Sequence, residues 1–100
     1  MLDDLIKVIR ERKKSNTDKS YTKQLISSGL PNCIDKLQEE FDELKYALAK
    51  DNTNVIHETA DVLYHLLVSL ELANIRFEYV LEELKNRKKQ SGIEEKKKRK

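Results

Sequence analysis

Hydrophobic residues recur along this chain at intervals of three and four, and no segment alternates in the manner of a strand. The pattern predicts an all-α protein of five helices. Leu2, Leu5, Ile6 and Ile9 share one side of a first helix over about 3–14, and the polar stretch 13–19 that follows reads as a loop. A second helix, about 20–28, stops at Gly29, which suits a left-handed C-cap. Pro31 fits the first turn of a third helix, about 31–50. Asp51-Asn52-Thr53-Asn54 breaks the pattern and supplies an N-cap for a fourth, about 54–73. A turn near Asn74 leads to a fifth, about 76–89, expected to be buried through Phe77, Val80, Leu81 and Leu84.

The two central helices differ in how they carry their apolar residues. On the third, Ile34, Leu37, Phe41, Leu44 and Leu48 form one tight stripe. The fourth is apolar on nearly every side, from Val55 and Ile56 through Leu72 and Ala73, and a helix of that kind is packed on most sides. One hundred residues make a single domain that buries only a modest core, and small helical proteins often gain area by association. The expectation is a helical bundle completed by homodimerisation.

Composition narrows the class. With one proline and two glycines in a chain rich in Leu, Lys, Glu and Ala, helix is favoured throughout. No apolar run is long enough to span a membrane, and Met1-Leu2-Asp3-Asp4 reads as an acidic amphipathic start rather than a signal peptide. Cys33 is the sole cysteine, which excludes an internal disulfide and fits a reducing cytoplasm; it reads as a small residue in a helix's first turn. The net charge of +2 conceals a basic end. Residues 85–100 hold nine Lys/Arg against two Glu, whereas 1–84 hold eleven against sixteen acids. The expected division is a helical domain over 1–90 and a basic tail over 91–100. Without aromatics in the tail, nucleic acid is not the expected partner.

The charged positions that change the picture lie on the two central helices. Glu40 and Glu43 border the apolar stripe of the third helix, Glu39 sits further round, and Asp42 faces solvent. On the fourth, Glu58, Asp61 and His65 fall on one narrow stripe at spacings of three and four. Ionised carboxylates beside a core cost several kcal/mol each unless paired or bound to metal. Lys36 and His65 are too few cations for four acids. Glu40, Glu43, Glu58 and Asp61 are therefore the candidate ligands of a hard divalent ion, Mg²⁺ or Mn²⁺. The Glu-x-x-His pairing of di-iron bundles is missing, and His65 reads as a hydrogen-bonded structural residue.

The pattern Glu-Glu-x-x-Glu, fourteen intervening residues, then Glu-x-x-Asp resembles the all-α nucleotide pyrophosphohydrolases of the MazG-like superfamily. Within it, Ser20-Tyr21-Thr22, Ala60-Asp61-Val62-Leu63-Tyr64-His65-Leu66-Leu67 and Ser91-Gly92-Ile93-Glu94-Glu95-Lys96 are most similar to the phosphoribosyl-ATP pyrophosphohydrolase family of histidine biosynthesis. The resemblance implies Mg²⁺-dependent hydrolysis of phosphoribosyl-ATP to phosphoribosyl-AMP and pyrophosphate. It makes Glu39 the candidate for holding a second ion or orienting the attacking water, and Arg12, Lys13, Lys23 and Lys36 the candidate substrate-binding cations. The tail from Ser91 to Lys96 is the candidate to close over the site. Where the family usually has Gly before the double Glu, this chain has Gln38, which could narrow the site. Two rival readings remain: a nucleoside triphosphate pyrophosphohydrolase of the same superfamily, and a non-catalytic helical module with an RNA-binding tail.

Overall fold

A computed structural model describes residues 2–15 and 20–88. The tail over 91–100, its proposed closure, and the end of the last helix at 89 lie outside these residues. Among the described residues the chain is helical and contains no strand: α1 Leu2–Lys14, α2 Tyr21–Ser27, α3 Leu30–Lys50, α4 Val55–Leu72 and α5 Phe77–Arg87, with a single 3₁₀ turn, Asn52–Asn54, between α3 and α4. No helix among them is long and apolar enough to cross a membrane.

The ends of these helices follow from identifiable side chains. Ser20 caps α2, its Oγ accepting from the Lys23 amide at 3.2 Å. Asp51 caps the 3₁₀ turn, accepting from the amide and hydroxyl of Thr53 at 3.3 and 2.6 Å and from Asn54 Nδ2 at 3.1 Å. That turn takes up Asn54, the first residue expected of α4. Gly29 is not the left-handed cap that was expected. Its φ of 93° is positive but its ψ of 160° is extended, a combination essentially confined to glycine. Its amide closes α2 onto Ile26 and its carbonyl opens α3 to Cys33. Asn74 takes the left-handed conformation at the α4–α5 turn, with φ 60°.

The core gathers at one end of the molecule. Ile6, Ile9, Leu25, Ile26, Cys33, Leu67 and Val68 are buried together, with Leu5, Tyr64, Leu72 and Phe77 packed against them. Cys33 is a core residue whose thiol donates to the Leu25 carbonyl at 3.3 Å. α3 and α4 share the most extensive interface, an antiparallel hairpin closed by the short link at 51–54.

Two burial expectations fail within this single chain. Much of the α3 stripe is uncovered: Ile34, Phe41 and Leu48 are 53%, 49% and 61% exposed while Leu37 and Leu44 are half-buried, and on α4 Ile56 and Leu63 are exposed too. On α5, Leu81 and Leu84 are exposed while Phe77 and Val80 are half-buried. Amphipathic periodicity identifies an apolar face without supplying a partner for it. In place of burial, α5 is tied down by charge. Arg10 of α1 donates to Glu71 at 3.0 Å and to both carboxylate oxygens of Glu78 at 3.0 and 3.4 Å. Chiefly through the hydrogen bond from Arg10, the Glu78 carboxyl is held down at about 2.

Candidate metal and phosphate site

The carboxylates converge where α3 and α4 run side by side. Glu40, Glu43 and Glu58 each place an oxygen within 4.8 Å of the others. A second group, overlapping through Glu58, joins His57, Glu58 and Asp61 at the same spacing. The four predicted ligands thus form two linked sets, and His57 is an addition that sequence reasoning missed. Its signal was the i,i+4 spacing to Asp61, seen here as a 3.2 Å contact between His57 Nε2 and Asp61 Oδ2.

The site fits a hard cation on the evidence of its own oxygens. Glu40 Oε2 and Glu58 Oε2 are buried without any hydrogen-bond partner among the described residues, which is costly unless something positive meets them. Burial, followed by the charge of Glu43, pushes the Glu40 carboxyl above its ordinary range. The Glu58 carboxyl is raised as well, by burial first and then by a hydrogen bond and like charge from Glu43. Both shifts mark carboxylates whose charge their own surroundings do little to neutralise.

His65 is structural, as its sequence setting suggests. It is 5% exposed. A carbonyl only accepts, so Nδ1–H donates to the Asp61 carbonyl at 2.8 Å, and Nε2 meets the Tyr21 hydroxyl at 3.2 Å. One residue earlier, Tyr64 bonds Thr22. The rings of Tyr21, Tyr64 and His65 pack with centroids 5.2 to 6.3 Å apart. The Ser-Tyr-Thr segment and the Tyr-His segment, far apart in sequence, are therefore one contact holding α2 against α4 beside the carboxylates. Burial raises the Tyr21 phenol, with Lys36, Glu40 and Asp61 in electrostatic reach.

The other candidates are placed as follows. Glu39 is exposed and pairs with Lys36 at 3.3 Å, one turn from Glu40. Lys13 Nζ donates to the Glu71 carbonyl at 2.9 Å and to Asn74 Oδ1 at 3.1 Å, closing the C-terminal end of α4. Lys23 Nζ donates to the Lys13 carbonyl at 3.1 Å. Arg12 is half-buried on α1. Lys36 thus lies on the helix that carries Glu40 and Glu43, while Lys13 and Lys23 are engaged with backbone carbonyls. Gln38 bonds Asp42 at 3.1 Å and lies beside Ile34, Leu37 and Phe41. Beside Glu43 and Glu58 opens a cavity of about 330 Å³, lined also by Asp42, Tyr46, Asp51 and Asn54.

The sequence profile of phosphoribosyl-ATP pyrophosphohydrolase matches residues 2–88. A histidine biosynthesis bifunctional protein of Helicobacter hepaticus is 46% identical over the whole of this chain, which spans 44% of that protein. Phosphoribosyl-ATP pyrophosphatases of Allorhizobium ampelinum and Rhizobium etli are each 45% identical over 95% of this chain and 92% and 90% of theirs.

Proposed function

This chain belongs to the phosphoribosyl-ATP pyrophosphohydrolase family, and from that premise we propose that it hydrolyses phosphoribosyl-ATP to phosphoribosyl-AMP and pyrophosphate. The observation that carries the reading is the pair of orphaned carboxylate oxygens, on Glu40 and Glu58, at the junction of α3 and α4. In the overall reaction water adds to one phosphorus of the α–β anhydride, the bridging oxygen leaves with the other, and a proton is released.

Glu40, Glu43, Glu58 and Asp61 would hold Mg²⁺, with Mn²⁺ as substitute and His57 beside them. When bound, the ion would neutralise phosphate oxygens and the charge growing on the leaving pyrophosphate. Glu39 is assigned to orient the attacking water or to hold a second ion, for which hydrogen-bond reach is the requirement. Lys36 exchanges its contact with Glu39 for substrate phosphate, and Arg12, Lys13 and Lys23 are the further cations to test. The part-buried His65–Tyr21 contact keeps α2 in place against the site without entering the chemistry.

The proposal extends to a homodimer. Ile34, Leu37, Phe41, Leu44 and Leu48 repeat at alternating three- and four-residue steps, the spacing of a helix–helix seam, and this chain leaves Ile34, Phe41 and Leu48 of that seam exposed. The free buried thiol of Cys33 suits a reducing compartment, and we assign the protein to the cytoplasm.

The test is pyrophosphate release from phosphoribosyl-ATP and from a panel of deoxynucleoside triphosphates, with and without Mg²⁺. Release from phosphoribosyl-ATP that requires the ion and is lost in Glu40→Gln supports the reading. Activity confined to the deoxynucleotides refutes it.

A further inference from the structure

The groove between α3 and α4 has two chemically different ends, with the carboxylates between them. Lys36, Glu40 and Glu43 share one face of α3 at steps of four and three. Lys36 therefore stands one turn beyond the cluster, on the side where α2 presents Tyr21. In the opposite direction lies the cavity of about 330 Å³ that Glu43 and Glu58 help to line. From Lys36 to Tyr46 is ten residues of helix, roughly 15 Å. The site thus has one end where Lys36 stands, paired with Glu39 until a ligand phosphate takes its place, and an anionic end, and an extended ligand would find them unequal.

The cavity's own residues say what it accepts. Once a cation neutralises Glu43 and Glu58, Asp42 and Asp51 still face the ligand with negative charge. A phosphate would be repelled there. Donors would be welcomed, because Asp51 is pre-oriented by its bonds from Thr53 and Asn54 and keeps lone pairs for more. Tyr46 sits on the same wall with its side chain 65% exposed. An exposed aromatic ring beside fixed acceptors suits a flat base and its sugar hydroxyls.

Resting on the reading above, we infer that this cavity is a nucleoside subsite: the purine stacks on Tyr46, ribose hydroxyls donate to Asp51, and the leaving pyrophosphate lies toward Lys36. The groove would then set the direction of the substrate, and not only its position. Tyr46 and Asp51 would be specificity-determining residues, and the carboxylates would serve either half of the ligand equally.

The two halves can be tested separately by equilibrium binding of AMP and of inorganic pyrophosphate to the full chain in Mg²⁺. Tyr46→Ala should weaken AMP about tenfold, the loss expected for one aromatic stacking partner, and leave pyrophosphate unchanged. Tyr46→Phe should retain wild-type AMP affinity. Lys36→Gln should show the reverse pattern, weakening pyrophosphate and sparing AMP. Tyr46 is exposed, so thermal melting of the variants should match wild type and confirm folding. AMP binding that is absent from the wild type, or equal in Tyr46→Ala, overturns the subsite, as does a loss confined to pyrophosphate. If the pattern holds while phosphoribosyl-ATP is not hydrolysed, the subsite stands and the proposed substrate falls.

Discussion

Replacing Glu40 with Gln should move stability in opposite directions depending on whether a divalent cation is present. In chelator, Glu40 carries a buried unpartnered oxygen, and its carboxylate places an oxygen within 4.8 Å of oxygens from Glu43 and Glu58. Its carboxyl is raised in the folded state from an ordinary 4.5, by burial and then by Glu43. An acid raised on folding contributes stability below its ordinary value, and that contribution is lost as pH rises through the folded value. The chelated wild type should therefore lose stability from about pH 4.5 upward, and Glu40→Gln should flatten this fall and melt higher at neutral pH. Adding Mg²⁺ reverses the order. Ion at a hundredfold excess over its dissociation constant adds about 2.7 kcal/mol. For a domain of this size each kcal/mol is worth ~4–8 °C, so the wild type should gain roughly 11–22 °C. The variant, one ligand short, should gain much less. Thermal melts followed by circular dichroism, in chelator and in Mg²⁺ across a pH series, give all four quantities. An unchanged wild-type melting temperature in Mg²⁺, or an equal gain in Glu40→Gln, would refute the assignment.

Three further outcomes are expected. Phe41→Asp, on the exposed seam of α3, should shift sedimentation from dimer to monomer; a wild type already monomeric at micromolar protein removes the seam's proposed role. Glu78 sits at about 2 because of Arg10, so its stabilisation is present above 4.5 and disappears as pH falls toward 2. Acid unfolding of Glu78→Gln should accordingly be shallower than that of wild type over that window, and identical slopes would count against the Arg10 clamp. Val68→Ala removes two methyl groups from a fully buried site, which at about 0.8 kcal/mol each plus a cavity amounts to roughly 2–3 kcal/mol in urea unfolding; a loss under about 1 kcal/mol would mean the core closes over the gap.

Much of this molecule was legible because helices report themselves locally. The steps of three and four, the start of the second helix at about 20, Asp51 at the hairpin link and Asn74 at the last turn all act within a few residues of themselves. The meeting of Glu40 and Glu43 with Glu58 was legible too, since two adjacent helices joined by a short link must return side by side. What was missed depends on distant or unsigned partners. Lys13 and Lys23 are bound to carbonyls, and every residue has a carbonyl, so no side-chain pattern marks them as engaged. Phe41 and Leu84 are apolar at helical spacing yet exposed, because periodicity names a face and tertiary structure decides what covers it. The cavity at Tyr46 exists only once the 51–54 link has folded back, which no spacing along α3 reveals.

Gly29 carries a mechanical consequence. Between Ser28, still in right-handed geometry, and Leu30, already helical, it is the whole connection between α2 and α3. An added Cβ would meet Pro31 Cδ only at 3.8 Å, so the position excludes other residues by handedness rather than by size. A loop of several residues spreads its freedom over many torsions, whereas this corner has two. If α2 is ever to swing Tyr21 away from His65 while both helices stay intact, the motion is a rotation about one residue, and the path of that swing is fixed by a single φ and ψ.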